Sequence, residues 1–355
     1  MELNYVYAFK VVLVLLQIHS KGCCYDIFNS NKQFEDPILN SNTVCKNTPS
    51  LNREQMRLCK ELPDVVASAL QGMQYAVHEC QAQFRYRRWN CSSLEMKNRN
   101  PMSNPLLKQG FRETAFVHAI ASAGITSAVA KACSIGKLAT CTCDQSMRGK
   151  GDGWQWGGCG DNMKYGAKFS ARFLDSRETG RDIHSLMNLH NNLVGRKTVI
   201  ENSKTKCKCH GMCGSCSVKT CWKTVPNFRE VGDLLMEKYD FATLIRVNNR
   251  IRSSKVKLRP VRRKFRRSGF KGELVYFENS PDFCKPDNSL LIQGTEGRVC
   301  SRDSLDTDNC KSLCCSRPYG TKKLSVTKRC RCHFNWCCYV ICDVCEETSV
   351  LNVCT

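Results

Sequence analysis

Cysteine occurs 27 times in this chain of 355 residues, and that fact limits its fold more than any other. Fifteen cysteines lie between Cys23 and Cys221, and twelve between Cys284 and Cys354. So dense a set serves either zinc sites or disulfides. The N-terminus decides between them. An apolar run, Val11–Ile18, follows Lys10 and precedes Ser20-Lys21-Gly22. That is the layout of a secretory signal with a small-residue cleavage site. The run falls short of the roughly 20 apolar residues that cross a bilayer, and no later segment is expected to reach that length. A buried helix is the competing reading, but the flanks fit a signal better. Residues 1–22 are therefore read as a signal peptide, cleaved after Gly22 to leave Cys23 first. The expected product is secreted, bound for the extracellular space and matrix, and folds where disulfides form.

The net charge of +22 ordinarily points to nucleic acid. A secreted chain meets a different polyanion, heparan sulfate, to which the same electrostatics applies. Twelve basic residues and no acidic one lie between Arg246 and Lys271. Residues 246–272 read as a basic linker, solvated in any case. Within it Arg262, Arg263, Lys264, Arg266 and Arg267 are the glycosaminoglycan-binding candidates.

The linker separates two kinds of sequence. Before it, Asn52–Cys80 and Glu113–Cys133 carry apolar residues at helical spacing, and the second is rich enough in alanine to be mostly buried. Asn162–Phe173 and Arg181–Val194 read as further amphipathic helices. After it, residues 273–355 hold short apolar segments between turn-formers. A region so small needs covalent staples, each contributing roughly 2–4 kcal/mol. The expected fold is α+β and disulfide-rich: a helical N-terminal domain over 23–245, the linker, and a small cysteine-rich β domain over 273–355 of hairpins held by six disulfides. There is no internal repeat.

CKCHGMCGSCSVKTC, Cys207–Cys221, is the densest stretch. If Cys207 pairs with Cys221 and Cys209 with Cys216, two rungs clamp a β-hairpin. Its tip, His210–Ser215, has two glycines able to take positive φ. Such a hairpin projects from a fold, and a fifth sulfur, Cys213, sits at its end.

CKCHGMCGSC followed by SVKTCW resembles the signature of the Wnt family of secreted signalling glycoproteins. The resemblance extends to Arg87-Arg88-Trp89-Asn90-Cys91-Ser92, Arg112-Glu113-Thr114-Ala115-Phe116, Trp156-Gly157-Gly158-Cys159, Met187-Asn188-Leu189-His190-Asn191-Asn192, Ser280-Pro281-Asp282-Phe283-Cys284 and Cys332-His333-Phe334-Asn335-Trp336-Cys337-Cys338. Val225–Arg246 looks most like the fourth vertebrate subfamily. The resemblance implies disulfides Cys80–Cys91, Cys133–Cys141, Cys143–Cys159, Cys207–Cys221 and Cys209–Cys216 in the first domain. In the second it implies Cys284–Cys315, Cys300–Cys310, Cys314–Cys354, Cys330–Cys345, Cys332–Cys342 and Cys337–Cys338. Pairing of Cys23, Cys24, Cys45 and Cys59 stays open.

The resemblance also implies two gripping hairpins that hold the cysteine-rich domain of a Frizzled receptor. One is a thumb, 207–221, tipped by His210, Gly211, Met212, Cys213 and Gly214. The other is a finger, 330–345, tipped by Phe334, Trp336, Cys337, Cys338 and Val340. An exposed aromatic beside a rigid disulfide suits a binding hot spot, the bland alternative being that Trp336 is an ordinary packed residue. Further implied partners are a low-density-lipoprotein-receptor-related co-receptor, a membrane acyltransferase and a secretory carrier during export. Nucleic acid is not among them.

At one position the chain departs from the family. A serine that the acyltransferase esterifies in the family is Cys213 here, and Ser215 matches a different position. Acyl burial yields about 0.8 kcal/mol per methylene, so a dozen in a receptor groove supply roughly 10 kcal/mol before ordering costs. Three readings of Cys213 stay open: a thioester to the fatty-acyl chain, an unmodified thiol, or a disulfide within or between chains.

Asn90-Cys91-Ser92 is an N-glycosylation acceptor, whereas Asn47-Thr48-Pro49 lacks the third-position hydroxyl. His210 and Cys213 lie three residues apart, yet a hairpin tip offers neither a pocket nor an orienting third group, so catalysis is not expected. A zinc site on Cys207, Cys209, His210 and Cys216 is opposed by the secretory signal. No metal or cofactor is expected, the fatty-acyl group and N-glycan apart. The sequence therefore reads as a secreted Wnt-type ligand. The alternatives are a non-lipidated antagonist or lipid-independent ligand and, more distantly, a disulfide-linked matrix protein.

Overall fold

Two backbone signals set the first helices. Asn52 caps α1 (Arg53–Glu61): its side chain accepts from the Gln55 amide at 2.7 Å, and the Gln55 side chain accepts from the Asn52 amide at 3.1 Å. Pro63 then starts α2 (Pro63–Gln83). Proline cannot donate into the preceding turn and disfavours helical backbone at Leu62, so the helical pattern over Asn52–Cys80 is two helices. A computed structural model describes residues 43–48, 50–94, 100–147, 149–151, 154–180, 182–247, 258–261, 272–336 and 339–355. The signal peptide, Cys23, Cys24, the five candidates Arg262, Arg263, Lys264, Arg266 and Arg267, and Cys337 with Cys338 lie outside them.

The centre of the fold is α3 (Arg112–Ser134), buried almost throughout. By length and composition it could cross a membrane, which the reading of the sequence did not anticipate; 89% of that apolar window is buried inside the fold. Around it pack α2, α4 (Met163–Leu174), α5 (Ile183–Glu201) and α6 (Phe228–Asp240). Three of these bring a glycine to the α3 backbone. A Cβ on Gly72 would lie 2.4 Å from the Gly124 oxygen, on Gly166 2.4 Å from the Thr126 oxygen, and on Gly195 1.9 Å from the Ala119 oxygen. Small residues thus let four helices approach more closely than side chains allow.

Helix α6 was not anticipated, although it carries readable signals. Asn227 caps it, and Val231, Leu235 and Tyr239 are buried at helical spacing. Tyr239 joins an edge-to-face cluster in which Phe84 lies 5.0 Å from Phe116, 5.0 Å from Tyr239 and 5.1 Å from Trp89.

Among the described residues ten strands, β1–β10, form three sheets. The first, in order β1-β2-β4-β3, comprises Lys150–Gly151, Trp154–Trp156, Lys219–Thr224 and Lys204–Cys209. The second, β6-β5-β7, comprises Leu258–Pro260, Thr243–Val247 and Val275–Tyr276. The third is β8-β10-β9: Val299–Cys300, Tyr339–Cys354 and Tyr319–Asn335. In it β9 and β10 make one antiparallel hairpin of 17- and 16-residue strands with a bulge between Ile341 and Asp343.

Residues after the linker do not build a separate core at once. Leu274, Phe283 and Ile292 belong to the helical core. Asn191 exchanges two 2.9 Å hydrogen bonds with the Val275 backbone, and Arg298 donates to the carbonyls of Arg85, Arg87 and Arg88. A small separate cluster joins Met187, Ile245 and Val275, and another forms at the base of the long hairpin: Cys300, Cys310, Leu313, Cys314 and Cys354. Leu313 is its one member that is not a disulfide cysteine, so covalent links dominate there.

The described residues contain eleven disulfides. Ten are pairs that the resemblance implies: Cys80–Cys91, Cys133–Cys141, Cys143–Cys159, Cys207–Cys221, Cys209–Cys216, Cys284–Cys315, Cys300–Cys310, Cys314–Cys354, Cys330–Cys345 and Cys332–Cys342. The eleventh, Cys45–Cys59, answers a pairing left open.

Candidate functional site

The thumb hairpin is β3 and β4. Cys207 faces Cys221 in the register, and Cys209–Cys216 closes the next rung. With Cys207, Cys209 and Cys216 all in disulfides, none is a thiolate for zinc. Beyond the rungs the backbone bonds to itself: His210 N–H to Val218 O at 2.8 Å, Gly211 N–H to Ser215 O at 2.9 Å, Gly214 N–H to Gly211 O at 3.0 Å, and Ser215 N–H to Met212 O at 3.1 Å. These bonds satisfy the tip's polar backbone and turn its side chains outward.

Met212 is 90% exposed. Cys213 is exposed and is the one free cysteine among the described residues. Positive φ falls on Cys213 (+57°) and Gly214 (+77°), and Gly211 has φ −69°, so the expectation that both glycines supply it is corrected. Gly211 is needed for space instead: a Cβ there would lie 2.0 Å from Ser215 Oγ and 2.6 Å from Ser215 O. Holding a non-glycine residue in the left-handed region costs about 1–2 kcal/mol. The strain therefore sits on the one thiol at the tip.

The finger is the distal part of β9 and β10, clamped by Cys330–Cys345 and Cys332–Cys342. Val340 lies opposite Phe334 in the register, and both are exposed. Trp336 is 93% exposed, so it is not packed within this chain. Tyr339 and Val344, which the sequence reading left out, are exposed too and extend the apolar surface. The signal for Tyr339 was available, since it neighbours Val340 in an apolar run. Asn90, half-buried, accepts from the Ser92 hydroxyl at 2.7 Å within a turn whose Cys91 is bridged to Cys80.

Away from the tips a polar cleft of about 470 Å³ is lined by Met102, Lys108, His118, Arg177, Glu178 and His184, among others. Burial pushes His118 down to about 4 and holds the Glu178 carboxyl above its usual range. No sequence motif had marked this cleft.

Two cross-linked hairpins thus end in exposed apolar side chains. The Wnt family model matches residues 47–355. The chain belongs to the Wnt family. It is 45% identical over 309 residues to Wnt-1 of Ambystoma mexicanum, covering 86% of this chain and 83% of that protein. A chain in the structure of human WLS in complex with WNT8A aligns with a TM-score of 0.60 and 35% identity, covering 89% of this chain and 99% of that one. The Drosophila WntD N-terminal domain-linker aligns with a TM-score of 0.45 and 21% identity over 62% of this chain and 98% of that one. Wnt proteins are secreted signalling ligands rather than enzymes, and this chain is a secreted signalling ligand of the Wnt class.

Proposed function

We propose that this Wnt protein grips the cysteine-rich domain of a Frizzled receptor between its hairpin tips and recruits a low-density-lipoprotein-receptor-related co-receptor, so triggering developmental cell–cell signalling. One observation carries the reading: Met212 and Trp336, 90% and 93% exposed, stand on hairpins each stiffened by two disulfides. Preorganised apolar anchors bind with little ordering cost. Cys213 carries the fatty-acyl group as a thioester, placed by the tip's own hydrogen bonds. Asn90 carries an N-glycan, and the basic run holds the ligand near heparan sulfate. The likeness to a chain of the human WLS–WNT8A complex supports a membrane carrier of that kind as the partner in export.

The test is the mass of the tryptic peptide spanning Cys213, from protein secreted in the presence of the acyltransferase, before and after neutral hydroxylamine, together with binding to a Frizzled cysteine-rich domain. A hydroxylamine-labile fatty-acyl mass and saturable binding support the reading. A bare or disulfide-linked Cys213 overturns the thioester. Thiol in place of the expected hydroxyl favours a second reading, a lipid-independent ligand or an antagonist. Purified protein that inhibits another Wnt in a reporter assay, without activating it, selects the antagonist.

A further inference from the structure

We propose that the polar cleft beside α3 binds a small hydroxy-carboxylic acid, its carboxylate held by Lys108 and Arg177 and its hydroxyl by His118 and Asn188. No residue of either hairpin lines this cleft, so the site is independent of the receptor grip.

Local signals fix its walls. Asn100 and Asn104 start two short turns, Pro101–Ser103 and Pro105–Lys108, by accepting from the amides of Met102 at 3.0 Å and Leu106 at 2.9 Å. These turns supply Met102 and Leu107, both buried, and Lys108, which is exposed. His118 comes from α3, Asn188 from α5, and Arg177 and Glu178 from the connection between α4 and α5. The volume of about 470 Å³ falls within the roughly 300–1,000 Å³ usual for small-molecule sites.

Histidines apart, the charges lining the cleft are Lys108 and Arg177 against Glu178, a balance that one negative charge completes. Arg177 is half-buried, and its described hydrogen bonds go to neutral oxygens: Ser50 O at 3.1 Å, Gln55 Oε1 at 3.2 Å and Met102 O at 3.3 Å. Burial works against its charge and Glu178 supports it; a bound carboxylate would support it further. His118 and Asn188 are 3% and 7% exposed. Neither ring nitrogen of His118 has a hydrogen-bond partner among the described residues, and neither has Asn188 Oδ1. Asn192 favours the His118 proton without meeting hydrogen-bond geometry, and the Asn188 amide donates to Glu178 at 3.1 Å. Buried polar atoms are almost always paired, so these three call for a partner. Burial keeps the imidazole neutral, with one nitrogen a donor and the other an acceptor. A hydroxyl accepts from the imidazole N–H and donates to the Asn188 oxygen, which suits both. Met102 and Leu107 give the carbon skeleton an apolar wall. Ordered water is the competing partner for the same atoms.

The test titrates 4-hydroxybenzoate against the full-length secreted protein, read by saturation-transfer NMR. Saturable binding on the order of 1 mM or tighter is expected for so small a probe. Benzoate, which lacks the hydroxyl, and 4-hydroxybenzamide, which lacks the charge, are each expected to bind at least about fivefold more weakly. Lys108→Gln is expected to weaken 4-hydroxybenzoate about fivefold. His118→Leu is expected to abolish the preference for 4-hydroxybenzoate over benzoate, which loss of a merely structural residue would not do. On unmutated protein the probe is expected to protect Lys108, but not Lys322 on β9, from amine-reactive labelling, which keeps the proposal falsifiable if a variant is not secreted. No saturation at about tenfold above the expected constant overturns the site and leaves ordered water as the partner of His118. Binding that survives Lys108→Gln unchanged, but is lost when Arg262, Arg263, Lys264, Arg266 and Arg267 become Gln, overturns it in favour of anion uptake by the basic run.

Discussion

Tyr239 donates a 2.7 Å hydrogen bond to Glu113 inside the core, and Ser280 donates to the other oxygen of the same carboxylate. Three segments distant in sequence, α3, α6 and the region after the linker, therefore share one acceptor. Burial, first of all, pushes the Tyr239 hydroxyl up, so it remains a donor at any physiological pH. Glu113→Ala strands two hydroxyls and is expected to cost about 2–3 kcal/mol; Glu113→Gln keeps an acceptor and costs less. Urea unfolding of the oxidised protein measures both. Equal stability of the alanine variant and the unmutated protein would contradict this account.

Two glycines separate space from backbone strain. Gly195 has no room for a Cβ against Ala119, so Gly195→Ala is expected to lose about 1–3 kcal/mol by overpacking. Gly214 has nothing within 4 Å but holds φ +77°. There Ala costs about 1–2 kcal/mol and Asn, which tolerates the left-handed region, less. Asparagine at 195 gains no such relief. Midpoints in urea for the four variants decide it.

The pH dependence has two opposed parts. Burial lowers His118 to about 4 in the folded chain, below its ordinary 6.5, so the unfolded chain takes the proton first. That contribution is intact above about pH 6.5 and is lost as pH falls toward 4, by about 3 kcal/mol in all. Glu79 runs the other way. Burial raises it to about 7, against the opposing pull of the Gln83 hydrogen bond and Arg229 at 3.1 Å. Its contribution is present below about pH 4.5 and lost as pH rises through 7. Tm against pH is therefore expected to flatten on the acid side in His118→Asn and on the neutral side in Glu79→Gln. Unchanged slopes in either variant would refute the corresponding assignment.

Trp336 contributes nothing visible to its own fold. Trp336→Ala is expected to leave Tm unchanged while weakening binding to a Frizzled cysteine-rich domain about thirtyfold, or about 2 kcal/mol. A fall in Tm with unaltered binding would make it a structural residue instead.

What local sequence determined here was whatever depends on residues close together in the chain. Alanine-rich periodicity marked α3, and the nested cysteines around His210–Ser215 marked a clamped hairpin. Pro63 and Asn227 are equally local signals, the first for a helix break and the second for a helix cap. The longer pairings, such as Cys314 with Cys354, came from resemblance and not from spacing. Tertiary structure decided what depends on distant partners. Only packing shows that Gly72, Gly166 and Gly195 meet one helix, that Asn191 holds Val275, or that Lys219 stands beside Trp154. It also put positive φ at the thumb tip on Cys213 and Gly214 and not on Gly211, in a turn fixed by the tip's own hydrogen bonds, while Ser215 leaves no room for a Cβ at 211. Periodicity and capping are properties of a single segment; contacts between segments depend on how the whole chain closes on itself.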